Sequence, residues 1–504
     1  MLDIREVKSR LALKEVFIGR REFAEVESKV GALRRFRRRM LMEQSGWTSG
    51  CFALPSAQVF APPGVRATVL FEPMRDKCAR AGSLQGWLHH VAEPLRDQSL
   101  AMFMLMAAFV APILKLTHRT GNLGFELCGP PGTGKTTLLH LMATTVGNAV
   151  NGDARPYWST CNTTVNALEH KVEAHSDLPL LLDDATMFAA GQGGAARAQQ
   201  FKSFVFSLAQ GETKARFNTQ QQSFRTAYFI TTNTPLGVVI SGLGDWEGGA
   251  TADRLLSLDV GLRDNGIFDR IPRGYPDATA FARTLVAGMA ANYGTAMPQF
   301  LERLVCDRSA NEEALRSRIR RDADDFLEMA QVDRSDGSAV RVAEAFGFVM
   351  AAGQLAQDYG ALPTGFDCEV PALDAYRLFL ASTQRQSPLE RLIAYSTAPG
   401  VMDLDNADRW LAPDLVTVAP GFWRTHPGGQ REFLVWPDVF KRAFPDWRRV
   451  IADGNVASIM PRDSRHRGVR RHLRRRFPQD RFYCFRLTSP GSCKAQQACA
   501  KLVM

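Results

Sequence analysis

From Gly121 to about Asp259, short apolar runs alternate with stretches of helical spacing, the pattern of an α/β sheet domain. Three runs read as its strands: Gly124–Cys128, Leu180–Asp184 and Ala227–Ile230. Residues 276–382 read as helical throughout, and Ala339–Ala356 (AVRVAEAFGFVMAAGQLA) is apolar nearly all round, as a buried helix is. Ser83–Leu116 also reads as helical. Its last part, Leu100–Leu114 (LAMFMLMAAFVAPIL), is shorter than the ~20 residues that cross a bilayer and contains Pro112, so a buried helix is expected. Between Gly46 and Pro73, aromatic and β-branched residues broken by Pro and Gly predict a few short strands. Residues 1–45 read as helical and charged.

This pattern divides the chain into a basic helical N-terminal segment (1–45), a small β plus helical accessory region (46–120), a sheet core (121–275) and a helical lid region (276–385). The polar stretch Thr383–Pro388 then leads to a small C-terminal domain (386–487) and a tail (488–504). A length of 504 residues, 45% apolar and 23% charged, suits a multidomain globular protein and excludes a collagen-like or wholly disordered one. Charge adds one asymmetry. Lys441–Arg486 holds 14 basic and 4 acidic residues, while the rest of the chain carries 48 of each sign, so the whole surplus of +10 lies in that segment. Nine cysteines without a CxxC pair fit neither a disulfide framework nor a zinc site, and the N-terminus lacks a signal-peptide core. A cytoplasmic, reduced protein without a membrane partner or structural metal is expected.

The sharpest local signal is Gly129-Pro130-Pro131-Gly132-Thr133-Gly134-Lys135-Thr136-Thr137, which follows a strand and opens a helix running to Val146. That context is what a phosphate-binding loop requires: glycines let successive N–H groups turn toward phosphates, and the helix N-terminus adds partial positive charge. These nine residues are the predicted ATP contacts, with Lys135 on the β- and γ-phosphates and the Thr136 hydroxyl on Mg²⁺. About 50 residues on, Leu180-Leu-Leu-Asp183-Asp184 ends a second strand in two acids. Asp183 is the predicted magnesium residue, and Asp184 stands where ring-forming ATPases usually place a Glu that polarises water.

The third strand ends in Thr231-Thr232-Asn233. In the ATPases called AAA+, a polar residue at this strand tip contacts the γ-phosphate and the attacking water, a position that Asn233 fits; Thr-Asn-Thr-Pro is also an ordinary turn. Arg254, just before another apolar run, stands where a ring ATPase places an arginine finger, although a solvated charge reads the same. Between the second and third strands, Gly211-Glu-Thr-Lys214-Ala-Arg216-Phe217 reads as a basic hairpin. Superfamily 3 helicases grip single-stranded nucleic acid with a hairpin at this point, so Lys214 and Arg216 are candidates for that grip; the alternative is a solvated turn.

Together these features resemble a bacterial and mobile-element family described as helicase-like, the domain of unknown function 927. The likeness rests on Gly46-Trp47, Phe52-Ala-Leu-Pro55, Gly82-Ser-Leu-Gln-Gly-Trp87, Gly124-Phe125, the phosphate loop and Asn166-Ala-Leu-Glu169. It continues through Ala209–Arg216, Arg254-Leu-Leu and Arg341-Val-Ala-Glu-Ala-Phe346, and covers roughly residues 46–385. The resemblance implies a P-loop ATPase that works near primases on plasmids, phages and integrated elements. The chain departs from the family in its Pro-rich loop and in Asp183-Asp184, where the family usually has Asp-Glu.

In the C-terminal domain, Glu432–Trp436 reads as a strand and Pro437 as a helix start. Gly468–Phe477 reads as a helix, with Val469, Leu473 and Phe477 as one buried stripe and Arg470, Arg471, Arg474, Arg475 and Arg476 on its other faces. Arg481–Leu487 alternates as a strand. The order suggests a winged-helix-like unit whose arginines meet phosphate backbones; a solvated helix or a contact with an acidic protein or membrane surface are the alternatives.

The fold expected is therefore α/β: an AAA+-like P-loop NTPase sheet domain with helical N-terminal and lid regions and a small basic winged-helix-like domain. The function expected is a Mg-ATP-dependent DNA helicase or translocase of a replication or mobile-element system. DNA is favoured over RNA as the nucleic acid; a homo-oligomer, with a hexameric ring as one form, and a primase or replication partner are expected. The alternative is a non-unwinding ATP switch that recruits or loads another protein.

Overall fold

The computed structural model describes residues 19–32, 40–71, 74–150, 155–161, 175–185, 194–211, 223–233, 235–236, 254–383, 388–396, 400–406, 418–425, 431–444, 447–461, 469–470 and 481–487. Helix α1 (Arg20–Ala32) precedes strand β1 (Met40–Met42), so residues 1–45 are not wholly helical. Four short strands come next: β2 (Gly46–Thr48), β3 (Cys51–Ala53), β4 (Val59–Phe60) and β5 (Ala67–Val69). β2, β3 and β4 form an antiparallel sheet, and β1 pairs in parallel with β5. The Trp47 amide and the Lys115 ammonium both donate to the buried Asp177 carboxylate, at 2.9 and 2.7 Å, tying β2 to the chain just before the core strand that begins at Pro179.

The stretch read as helical, Ser83–Leu116, contains α2 (Leu84–Trp87), α3 (Ser99–Ala107) and α4 (Val110–Ile113), and the apolar side chains of Leu100–Leu114, expected to be buried, are at 1% exposure or less. The core sheet contains β6 (Leu123–Cys128), β7 (Ser159–Thr160), β8 (Pro179–Asp183), β9 (Ala227–Thr232) and β10 (Leu256–Asp259). Its order is β10-β6-β9-β8-β7, and every pairing is parallel. Two helices pack with it, α5 (Lys135–Val146) after β6 and α6 (Gly194–Gln210) before β9.

Period-two alternation sorts the strands' side chains between two cores. Leu123, Phe125, Leu127, Ala227 and Phe229 face the larger core. Leu180, Leu182, Tyr228 and Ile230 face a second, closed by Phe204, Val205 and Leu208 of α6. The larger core continues into α7 (Ala278–Ala291), α8 (Ala296–Met329), α9 (Gly337–Asp358) and α10 (Glu369–Thr383). Phe346 of α9 stacks on Phe103 of α3, with centroids 5.5 Å apart, and meets Phe125 of β6 edge-on at 5.4 Å. At Gly353 a Cβ would come within 2.4 Å of Met106 Sδ, so only glycine lets α9 lie this close to α3. By length and composition α9 is apolar enough to cross a membrane, but 72% of its apolar window is buried inside the protein. Asp336 starts α9 by accepting from the Ser338 and Ala339 amides at 2.8 and 3.1 Å.

Beyond Thr383 the chain builds a second body. Helix α11 (Pro388–Tyr395) leads to strands β11 (Met402–Asp403), β12 (Phe422–Thr425) and β13 (Arg431–Val435). Helices α12 (Pro437–Ala443), α13 (Trp447–Ala452) and α14 (Gly454–Ile459) then precede β14 (Val469–Arg470) and β15 (Arg481–Phe485). The sheet order is β11-β12-β13-β15-β14. Pro437 at the first turn of α12 and the strand at Arg481 agree with the sequence pattern. The helix expected from Gly468 does not: Val469 and Arg470 are extended and pair antiparallel with Phe482 and Arg481. An edge of β15 lies open to the chain there, and ladder pairing outweighs the weak helical period. Arg471, Arg474, Arg475 and Arg476 lie outside the described residues.

Candidate functional site

The site begins where β6, buried along its whole length, runs out at Cys128. Gly129, Gly132 and Gly134 all adopt positive φ, so the backbone turns back on itself and opens α5 at Lys135. Gly134 is fixed twice: its φ is +94°, and a Cβ there would come within 2.8 Å of Ile267 Cδ1. Thr133 fastens the loop by donating to the Pro130 carbonyl at 2.9 Å, while its own carbonyl accepts from the Ile267 amide at 3.1 Å. The N–H groups in the first turn of α5, which have no partner within the helix, give this point a partial positive charge that favours an anion.

Lys135 is only 7% exposed. Its ammonium donates to the Gly129 and Pro130 carbonyls, both at 2.8 Å, and burial pulls it below its ordinary pKa against the opposing fields of Asp183 and Asp184. A charge so desolvated and held by loop carbonyls is placed to exchange them for phosphate oxygens.

β8 delivers Asp183 to the same point. Its Oδ1 accepts from the Thr136 hydroxyl at 3.0 Å and from the Thr231 hydroxyl at 2.5 Å. Thr231 Oγ1 in turn accepts from the Asp184 amide at 2.9 Å. Three strands' worth of chemistry thus converge because β9 lies between β6 and β8. The cavity they enclose is about 460 Å³ and is lined by Pro131, Gly132, Gly134, Lys135, Thr136, Thr137, Asp183, Asp184, Thr231, Thr232 and Asn233. Gly129, Pro130 and Thr133 complete the loop behind it. One hydroxyl and one carboxylate 3.0 Å apart are the hard-oxygen donors that Mg²⁺ takes when phosphates and water supply the rest of its shell, so the residues present fit that ion.

Sequence reasoning missed Thr231. Its role depends on strand adjacency, although it sits in the Thr-Thr-Asn run already singled out. It also missed Glu126, which lies in the apolar strand β6 at 0% exposure. Glu126 Oε1 accepts from the Leu236 amide at 2.7 Å and Oε2 pairs with the Ser257 hydroxyl, so one carboxyl joins β6, the turn after β9 and β10. Burial pushes its pKa up from 4.5 to about 7, against the two hydrogen bonds. The folded chain therefore keeps a proton that the unfolded chain has lost. The stabilisation is complete below pH 4.5 and fades as pH rises through about 7. A glutamine in its place mimics the protonated form, accepting from Leu236 and donating to Ser257. The Glu126→Gln variant is expected to gain roughly 3 kcal/mol on the native protein between pH 5 and 8. Urea unfolding of both proteins at the two pH values measures it, and a constant difference would remove Glu126 as the source.

Arg254 is not brought to this cavity within one chain. It precedes β10 at the N-terminal end of the sheet, whereas the phosphate loop leaves the C-terminal end. Its guanidinium lies 4.6 Å from the centre of the Phe206 ring, and its carbonyl accepts from Tyr228 at 2.5 Å. Lys214, Arg216 and Phe217 lie outside the described residues; the chain leaves at Gly211 and returns at Phe224, whose amide donates to the Gly211 carbonyl at 2.8 Å. Arg470 lies on β14.

The family model for the domain of unknown function 927 matches residues 19–227. Over those residues the chain is similar to that family. The matched stretch holds the glycine-rich loop and Asp183 and ends as β9 begins, so it starts earlier and stops sooner than the resemblance read over 46–385. No curated protein matches the chain. Among solved structures, a chain described as SCCmec type IV Cch, an active helicase, superposes with a TM-score of 0.56 at 15% identity. The match covers 96% of this chain and 86% of that one. At this identity the likeness is one of fold, and it extends well beyond the domain into the C-terminal body.

Proposed function

We propose that the protein is a Mg-ATP-dependent motor that moves on, or separates the strands of, DNA in a replication or mobile-element system. The observation that carries this reading is the meeting of Lys135, the Thr136–Asp183 pair and the Asp184–Thr231 link at one end of a parallel sheet. Bound Mg-ATP supplies the phosphoanhydride bond whose cleavage drives the cycle. Lys135 holds charge on the β- and γ-phosphates, Thr136 and Asp183 hold the cation, and Asn233 orients water for Asp184, which takes its proton. Thr231 ties Asp183 to the Asp184 backbone, so that the two acids answer together to what occupies the site. A helicase of similar fold supports the choice of a motor among P-loop ATPases.

The test is the ATPase rate with and without single-stranded DNA, paired with strand displacement. Stimulation with release of a strand is expected. Stimulation without release would replace the motor by a switch that loads a partner, and no hydrolysis at all would end both.

The basic surplus between Lys441 and Arg486 is proposed to hold nucleic-acid backbone. If five phosphates are neutralised, log affinity against log salt should fall with a slope of about −3.5 to −4.5. Deleting residues 441–504 should flatten that slope; a slope near zero in the intact protein would remove the electrostatic argument.

A further inference from the structure

Among the described residues of the C-terminal body, three aromatic rings lie beneath cations, and they differ in what solvent can reach. Trp423 lies under Arg431 and Phe444 under Arg391, but these two rings are only 7% and 3% exposed, and Arg431 is tied to Asp403 at 2.6 Å. Trp447, at the start of α13, is half-buried: it packs against the core of this body and keeps part of its surface in solvent. The Arg448 guanidinium lies 5.1 Å and the Lys441 ammonium 5.7 Å from the centre of its ring, and both side chains are exposed. Arg442, also exposed, follows Lys441 on α12. We propose that Trp447 is a stacking platform for a base of single-stranded nucleic acid, with Lys441, Arg442 and Arg448 holding the phosphates beside it.

The inference rests on the reading above that the basic C-terminal segment holds nucleic-acid backbone, and it adds which form of nucleic acid is held and by which ring. That ring is fixed before any base arrives. The Trp447 amide donates to the Phe444 carbonyl at 2.8 Å, and Tyr483 of β15 lies against the indole with centroids 6.3 Å apart. Tyr483 in turn packs on Phe440 of α12 at 4.9 Å, and Phe440 on Phe485 at 5.5 Å. A ring braced by a row of aromatics loses little freedom when it is covered, so more of the stacking energy appears as affinity. The surrounding charge selects the partner. Lys441 pairs with Asp438 at 3.4 Å, but both are exposed, so the pair is worth little and yields to a phosphate. A nucleotide carries a flat base and an anion on either side of one sugar, the combination that this ring and its neighbouring cations match. An acidic peptide would answer the cations and leave the ring uncovered. In a duplex the bases are already stacked on one another, so the ring favours a single strand.

The experiment measures binding of the full chain, without ATP, to a short oligothymidylate, to an abasic strand of the same length and to a duplex. Trp447→Leu keeps apolar bulk against the core and removes the flat face. It is expected to lower affinity for the oligothymidylate by about five- to a hundredfold and to leave the abasic strand and the duplex within about twofold of native. Trp447→Phe, which restores a smaller flat face, should recover most of the loss. Arg448→Ala changes an exposed side chain and should act on the backbone instead, weakening the oligothymidylate and the abasic strand alike and flattening the single-strand salt slope by about 0.7. Equal losses on the oligothymidylate and the abasic strand in Trp447→Leu, or no loss on either, overturn the proposal and leave the backbone reading standing. A loss on the duplex as large as that on the single strand overturns it too. So does a matching loss of affinity for polyglutamate, which assigns the patch to an acidic protein. Failure of the native protein to bind any of the three nucleic-acid probes defeats the underlying reading instead.

Discussion

Lys135→Ala is expected to lower ATP turnover by roughly two to four orders of magnitude. The range reflects the removal of a desolvated charge from a phosphate that has no other cation among the described lining residues of its cavity. The ammonium is already out of water and held by two carbonyls at 2.8 Å, so it meets phosphate with little further desolvation. Removing it leaves the Gly129 and Pro130 carbonyls without that donor as well, and the loop loses a brace. Steady-state hydrolysis with saturating ATP and single-stranded DNA measures the effect, with circular dichroism to show that α5 and the sheet persist. DNA-stimulated turnover within threefold of the native rate would falsify the placement of the triphosphate at this loop.

The loop was legible in the sequence because its chemistry is local. Glycines that take positive φ, a lysine and a hydroxyl at the start of a helix are consecutive, and no tertiary information is needed to read them. Asp183 was legible for a similar reason, since an apolar run ending in acids marks where a buried strand reaches solvent. What the chain order hides is which strands are neighbours. Thr231 matters because β9 inserts between β6 and β8, and Glu126 looks like an interruption of an apolar strand until Leu236 and Ser257 are seen to close on it. Arg254 could be found by spacing, but its distance from the loop within one chain appears only when β10 is seen to run parallel beside β6. At Val469–Arg470 the error was one of period. Apolar residues four apart suggested a helix, and the pairing with β15 decided otherwise.

Asp184→Asn carries the second large effect: turnover is expected to fall by about two to four orders of magnitude while ATP binding is retained. The substitution is informative because of the backbone. Asp184 sits at φ +54°, a left-handed conformation that Asp and Asn tolerate better than longer side chains. Its amide is committed to Thr231 Oγ1 at 2.9 Å. Asparagine keeps that conformation and that hydrogen bond and removes only the ability to take a proton. If Asp184 takes the role proposed for it, the same geometry gives a physical reason for Asp where ring-forming ATPases usually have Glu, since a residue held in this conformation gains from a short side chain. Asp184→Glu is therefore expected to add reach but also some backbone strain, under about 1 kcal/mol beyond what Asp already bears, and to lower the thermal midpoint slightly. Single-turnover hydrolysis by Asp184→Asn beside equilibrium binding of labelled ATP separates chemistry from affinity. If that variant hydrolyses ATP at the native rate, the proton goes elsewhere, and Asp184 serves only to turn the chain as it leaves β8.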